Sequence, residues 1–141
     1  LAGLHDRALD GVPERLGNRE GRRIEAPIYL QDVMPTTLEL AGVDKPDHVD
    51  FQSLLPLINA QRNTSQHAEI YGAYLQRQRA IIAEGFKLIV YPTIETQRLY
   101  DLTNDPFETR DLMLEDGQET RASALHKRLL NLESNLGGAY R

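Results

Sequence analysis

Residues 70–102, which read IYGAYLQRQRAIIAEGFKLIVYPTIETQRLYDL, decide the fold. Four short runs rich in Ile, Val and Tyr lie within this stretch, at residues 70–75, 80–83, 86–91 and 99–102. β-Branched and aromatic residues favour strands, and the Gly, Pro and polar residues between the runs are typical of turns. The stretch therefore predicts a meander of four antiparallel strands.

The centre of this stretch predicts a tight hairpin. Glu84-Gly85 separates two of the runs, and glycine readily adopts the positive φ angle that a two-residue β-turn requires. Side chains alternate between the two faces of a strand, so Phe86, Leu88 and Val90 share one face. We expect that apolar face to be buried, whereas the opposite, mixed face is suited to contact with another domain.

A helix is predicted after the sheet, over residues 120–136. Its apolar residues recur at spacings of three and four, which places on one face Ala122, Leu125, Leu129, Leu132 and Leu136. Because this stripe covers little more than two heptads, it is better suited to packing on the sheet than to a coiled coil. Gly137-Gly138 follows and is a typical helix stop.

A shorter helix is predicted before the sheet, over residues 32–41. Asp32 can act as its N-cap, Pro35 is tolerated in the first turn because no N–H donor is needed there, and Gly42 provides the stop.

The two segments before that helix carry weaker patterns. Residues 24–30 are a short apolar run that contains Pro27, which favours an edge strand or an extended entry into the helix. Residues 1–23 are rich in Gly, Arg, Asp and Glu and have no apolar period, so we expect a loop or mobile arm.

Composition excludes several classes of protein. The 141 residues carry a net charge of -5 with no basic stripe, which argues against a nucleic-acid partner. No apolar run approaches the length of a membrane span, so we expect no membrane partner and a soluble domain. The absence of Cys excludes disulfides and thiolate metal sites within these residues. The choice between a bacterial periplasmic and a cytoplasmic location stays open.

Two stretches resemble landmarks of the type I sulfatases in the alkaline-phosphatase-like superfamily. DVMPTTLELAG at residues 32–42 is similar to the family's D-x-x-P-T-x-L-x-L-A-G helix, and LYDLTNDPFETRDL at residues 99–112 resembles its L-Y-D-L-x-x-D-P-x-E strand and turn. Between them lie SLLPL at residues 53–57 and FKLI at residues 86–89, which are also similar to family segments and stand in the same order.

The resemblance implies a division of the chain. Residues 24–66 would be the terminal elements of the large sulfatase α/β domain, and residues 67–141 a C-terminal subdomain with a small four-stranded antiparallel sheet packed by a final helix. The expected fold class is thus α/β, with α+β for this segment. The opening residues look like the middle of a longer chain, so we expect a fragment whose partner is the missing N-terminal catalytic region.

The resemblance also implies a chemistry that this chain lacks. Intact sulfatases use a formylglycine made from the Cys or Ser of a C-x-P-x-R motif, together with a divalent cation, usually calcium. That motif is absent here, because Ser53 is followed by proline at the third position rather than the second. We therefore predict no catalytic and no metal-binding residue in this chain, which should be inactive alone.

The candidate substrate-binding residues are Tyr74, Gln78 and Arg79 on the first hairpin, with His48 and His67 in loops. Arg and Tyr are suited to gripping an anionic or sugar-like substrate, with Arg79 the first choice. An interdomain hydrogen-bonding face would use the same residue types, and this simpler interpretation stays open. Each histidine is otherwise expected to face solvent, since none shows metal-ligand spacing.

Asp101, Asp105 and Glu108 are a candidate calcium loop that the sequence argues against. The run D-L-T-N-D-P lacks the ligand spacing and the Gly of an EF-hand, so a structural turn fixed by Asp105 before Pro106 is expected.

Three functions remain open at this stage. The first is part of a hydrolase of small sulfate monoesters, and the second is the same scaffold acting on phosphodiesters or phosphonate monoesters. The third is a free-standing binding module, which a C-x-P-x-R motif upstream in the gene would exclude. Faces that meet an absent domain would be exposed, so we also expect a homo-oligomer or an aggregation-prone chain.

Overall fold

The structure is a computed structural model that describes residues 23–135. The chain divides into two compact units, residues 1–67 and 68–141. The predicted arm at residues 1–23 and the predicted glycine stop at residues 137–138 lie, except for Arg23, outside the described residues.

Among its described residues, 23–67, the first unit has the helices α1 (Val33–Ala41) and α2 (Leu55–Ile58) and a 3₁₀ turn at Leu30–Asp32. Gly42 ends α1 in the left-handed conformation with φ 69°, as predicted. Thr36 joins the two helices, because its hydroxyl donates to the Asp32 carbonyl (2.6 Å) and accepts from the Leu54 N–H (2.8 Å). The loop between the helices is therefore tied to α1.

The N-cap prediction for Asp32 is wrong in its mechanism. Asp32 precedes α1, but its carboxylate makes no cap bond to the first turn. It points instead into the unit, where it is completely buried. Residues 23–29 form no strand, so the extended entry, and not the edge strand, is what the structure contains.

The second unit is a four-stranded sheet with strand order β1-β2-β3-β4. Its strands are β1 (Ile70–Tyr74), β2 (Gln78–Ala83), β3 (Phe86–Tyr91) and β4 (Thr96–Asp101). Every neighbouring pair is antiparallel, which confirms the predicted meander. β2 and β4 begin earlier than predicted because polar residues, among them Gln78, Arg79 and Gln97, also pair in the sheet.

Helix α3 (Glu119–Asn135) covers one face of this sheet. The core consists of Ile81, Ala83, Leu88 and Leu99 from the strands, packed against three stripe residues of α3, namely Ala122, Leu125 and Leu129. Leu132 packs at the margin of this core, and Leu136 lies outside the described residues. The predicted helix-on-sheet packing is confirmed.

The hairpin between β2 and β3 is the tight turn that the sequence predicts. Glu84 and Gly85 have φ angles of 53° and 78°. Such a pair of positive φ angles matches the twist of the flanking strands, and a residue with a Cβ pays a steric penalty there.

We expect Gly85→Ala to destabilise the second unit by about 1–2 kcal/mol, because it places a Cβ at positive φ. That Cβ would also stand 2.5 Å from the Thr103 hydroxyl oxygen. Gly72→Ala is the matched control, since its Cβ would make an ordinary 3.8 Å contact with Ala80. Urea unfolding of both variants should show loss only for Gly85→Ala, and equal stabilities would contradict the turn assignment.

No helix within residues 23–135 combines the length and the apolar character that crossing a membrane requires.

Candidate functional site

The predicted site residues are divided between the two units. His48 and His67 belong to the first unit, whereas Tyr74, Gln78 and Arg79 belong to the second. Tyr74 and Gln78 face each other across the β1–β2 pair, and Tyr74 is largely exposed. His48 lies in an exposed loop. Whether any of these five residues contacts substrate stays a prediction.

His67 is held by the buried Asp32. Its Nε2 atom lies 2.8 Å from one carboxylate oxygen of Asp32, and the His67 side chain is only 18% exposed. The same carboxylate accepts the backbone N–H of Tyr29 (2.9 Å) and of Gln52 (3.3 Å). Tyr29 also packs edge-on against the imidazole, with 4.7 Å between ring centroids. The expectation that His67 simply faces solvent is therefore wrong.

The Asp32–His67 pair ties three segments together. Tyr29, Gln52 and His67 are far apart in sequence, yet all three contact the Asp32 carboxylate. Tyr29 and Gln52 do so through their backbone N–H groups, and His67 does so through its ring nitrogen Nε2. Buried carboxylates are stable only when such partners satisfy them. The signal available in the sequence was the position of Asp32 at a helix start, and that position suggested a cap instead.

The residues described here do not fit a calcium site. Across residues 23–135 no group of three or more His, Asp or Glu side chains is placed to hold a metal ion. The sequence also contains no C-x-P-x-R motif, in either its Cys or its Ser form, from which formylglycine could be made. We therefore assign no step of any reaction to a metal or a formylglycine in this chain.

Arg79 lies beneath the last turn of α3 and is 5% exposed. Its Nε donates to Glu133 Oε1 at 2.9 Å, and one terminal nitrogen donates to the carbonyl oxygens of Leu75 (2.6 Å) and Gln78 (2.9 Å). The guanidinium thus joins the β1–β2 turn to the helix. Sequence reasoning singled out this residue, but not its partner Glu133.

A cleft of about 1200 Å³ opens beside this ion pair, within the second unit. Its floor is one row across the sheet, in which Arg79, Val90 and Gln97 are register partners. The second half of α3 forms one wall of the cleft, and the turn between β3 and β4 also lines it. Gln97 and His126 both line the cleft, and Gln97 Nε2 lies 3.2 Å from His126 Nδ1.

The Asp101–Glu108 segment is a structural turn, as expected. Asp101 accepts two backbone N–H groups and the Asn104 side chain, and Asp105 accepts the Arg110 N–H at 2.9 Å. The Asn104 amide lowers the pKa of Asp101 below its ordinary 3.8, and the Arg110 N–H does the same for the pKa of Asp105. Both carboxylate oxygens of Glu108 accept hydrogen bonds from Lys87 Nζ, at 2.8 and 2.9 Å.

These lowered pKa values predict acid sensitivity of the second unit. Because each carboxylate is more acidic folded than unfolded, its stabilisation is present above pH 3.8 and is lost as the pH falls through the folded pKa. Unfolding free energies measured from about pH 5 to about pH 2.5 should fall less steeply for Asp101→Asn than for the unmodified chain. Asp116→Asn, an exposed control, should keep the original slope, and identical slopes for all three would contradict the role of Asp101.

Comparison with known proteins identifies the family to which this chain belongs. The family described as N-sulphoglucosamine sulphohydrolase, C-terminal, matches residues 13–135. An arylsulfatase of Clostridium perfringens is 27% identical over 118 residues, which cover 82% of this chain and 24% of the relative. The chain spans about a quarter of the length of this arylsulfatase and of an uncharacterised sulfatase of Escherichia coli that it also matches.

Solved structures share the fold. BT4656, solved in complex with its substrate D-glucosamine-2-N,6-O-disulfate, superposes with a TM-score of 0.61 at 24% identity, over 73% of this chain and 23% of that chain. The phosphonate monoester hydrolase SpPMH of Silicibacter pomeroyi gives a TM-score of 0.62 at 17% identity, over 79% and 26% of the two chains. At these identities the likeness extends to the fold alone.

Proposed function

The chain belongs to the family of sulfatase C-terminal domains that is described by N-sulphoglucosamine sulphohydrolase, and we propose that the protein containing it hydrolyses sulfate monoesters. The single observation that supports this most strongly is the family match over residues 13–135. The four-stranded sheet backed by α3 agrees with it, since the same fold occurs in sulfatases of known structure.

In this proposal the chain contributes structure and not the reacting atoms. Sulfate ester hydrolysis needs an activated nucleophile and positive charge near the developing oxyanion. Within residues 23–135, the buried cation Arg79 is already paired with Glu133, and no metal cluster is available. The nucleophile and the metal ion belong to the N-terminal catalytic region that the family implies.

The substrate in this proposal is a sulfated sugar. Support comes from the family, which is named for an N-sulphated glucosamine, and from BT4656, whose substrate is a glucosamine disulfate. Tyr74, Gln78, Arg79, His48 and His67 remain the candidate contacts for that substrate.

A second function is hydrolysis of phosphonate monoesters or phosphodiesters. The resemblance in fold to the phosphonate monoester hydrolase of Silicibacter pomeroyi favours it, since the two oxyanion classes can share one scaffold. The family match is the reason to place it second.

The test compares this chain with the complete product of its gene, both supplied with calcium. The chain alone should turn over neither an aryl sulfate nor an aryl phosphonate. The complete product should hydrolyse a glucosamine sulfate faster than the phosphonate. Turnover by the chain alone would refute the view that the chemistry lies elsewhere, and a preference for phosphonate would favour the second function.

Self-association of the isolated chain belongs to the same proposal. Leu30, Val33 and Met34, at the start of α1, expose 84%, 47% and 44% of their surface, and contiguous exposed apolar side chains promote association. Light scattering should detect particles larger than a monomer, and a clean monomer at high concentration would contradict this.

A further inference from the structure

The cleft beside Arg79 offers a chemistry that the proposed reaction does not use, and we propose that it binds uncharged sugar units of a longer saccharide. The choice of a saccharide rests on the proposed function, whereas the preference for uncharged units rests on the cleft itself.

The spacing of polar groups along α3 is the first support. His126 and Glu133 both line the cleft and stand seven residues apart, which separates them by roughly 10 Å along the helix. His126 pairs with Gln97 at one end, and Glu133 pairs with Arg79 at the other. Two linked pyranose rings present polar hydroxyl groups over a similar length.

The surface between these two polar ends is apolar. Leu130 lies between them on α3, and the partly buried Val90 lies on the sheet below, whereas Leu129 is 1% exposed and belongs to the core. Leu130 is 54% exposed, so its side chain is available at the surface of the cleft. Pyranose rings carry apolar C–H faces bordered by hydroxyl groups, so an apolar strip between two hydrogen-bonding ends matches their pattern.

The charge of the cleft argues against a sulfated unit. One cation, Arg79, stands against two carboxylates, Glu95 and Glu133, and the cation is already paired. A sulfate placed here would meet net negative charge without a free cation to offset it. Neutral hydroxyl groups, in contrast, can donate to Glu133 and to the Gln97 carbonyl oxygen and can accept from its amide.

Binding of N,N′-diacetylchitobiose, an uncharged amino-sugar disaccharide, to the chain tests this inference by isothermal titration and saturation-transfer NMR. We expect measurable binding, with 6-O-sulfation of the same disaccharide weakening it. Gln97→Ala should weaken binding about three- to tenfold, the effect of one lost hydrogen bond. Leu130→Arg should abolish it, because a long charged side chain would then occupy the apolar strip.

Leu114→Arg is the matched control for Leu130→Arg. Leu114 is 86% exposed and does not line the cleft, so the same chemical change there should leave binding intact. Absence of binding by the unmodified chain, equal loss in the two arginine variants, or tighter binding of the sulfated sugar would each overturn the inference. So would preferential binding of an amphipathic peptide.

The outcome is separable from that of the proposed function, because binding is measured without turnover. If the complete gene product lacked sulfatase activity while the chain bound the disaccharide, the proposed hydrolysis would be refuted and the proposed sugar binding in the cleft would stand. If the complete gene product had sulfatase activity while the chain did not bind the disaccharide, the proposed hydrolysis would stand and the proposed sugar binding would be refuted.

Discussion

Asp32→Ala should destabilise the first unit by about 3–5 kcal/mol, the effect of removing one partner from a buried, fully hydrogen-bonded charged cluster. The change would leave the Tyr29 and Gln52 N–H groups and the His67 ring without their shared acceptor. Because Asp32 is completely buried, water cannot replace the carboxylate without opening the unit. Hydrogen exchange of the α1 amides measures this loss without interference from the sheet.

Asp44→Ala is the control for this prediction. Asp44 is an exposed aspartate of the same unit, and its removal should change stability by no more than about 0.5 kcal/mol. Asp32→Asn should lie between the two, since the amide keeps the size of the side chain and one acceptor oxygen. Equal α1 exchange rates in Asp32→Ala and Asp44→Ala would show that the cluster does not hold the unit together.

The sheet could be predicted from the sequence because its signals are local. The Glu84-Gly85 turn requires only neighbouring residues and is confirmed. Of the face predicted to be buried in residues 86–91, Leu88 lies in the core, and Phe86 and Val90 pack against it while only partly buried. The α3 stripe was predictable for the same reason, since helical spacing places Ala122, Leu125 and Leu129 on one face. The local spacing of apolar residues along the chain was therefore enough to predict the helix-backed sheet of the second unit.

The polar clusters could not be predicted because their partners are distant in sequence. Asp32 and His67 are 35 residues apart, and Arg79 and Glu133 are 54 apart. No spacing rule links such pairs, and each residue alone fits a simpler role, as a cap, a loop histidine or a surface arginine. The early starts of β2 and β4 were missed for a related reason, since pairing with a neighbouring strand outweighed the polar character of Gln78 and Gln97.

Arg79 contacts the β1–β2 turn and helix α3 of the second unit and also lines the cleft. A substrate-contacting arginine and a structural one predict different effects of substitution. The contacts with Glu133, Leu75 and Gln78 favour a large structural contribution, and that contribution can be measured without any substrate.

Arg79→Ala should therefore destabilise the second unit by about 2–3 kcal/mol. This is less than the full cost of breaking a buried pair, because the Glu133 side chain is 28% exposed and can be partly hydrated. Urea unfolding followed by tyrosine fluorescence, together with exchange of the β1 and β2 amides, measures the loss.

Two further variants test the Arg79→Ala prediction. One is the control Arg77→Ala, and the other replaces both members of the Arg79–Glu133 ion pair with apolar residues. Arg77 is an exposed arginine of the same hairpin, so its removal should change stability by no more than about 0.5 kcal/mol. The double variant Arg79→Met with Glu133→Leu should recover most of the stability that Arg79→Ala loses, because it removes both charges and keeps the buried volume. If Arg79→Ala were as stable as Arg77→Ala, the guanidinium would not be a structural link, and direct contact with substrate would become the better account of its burial.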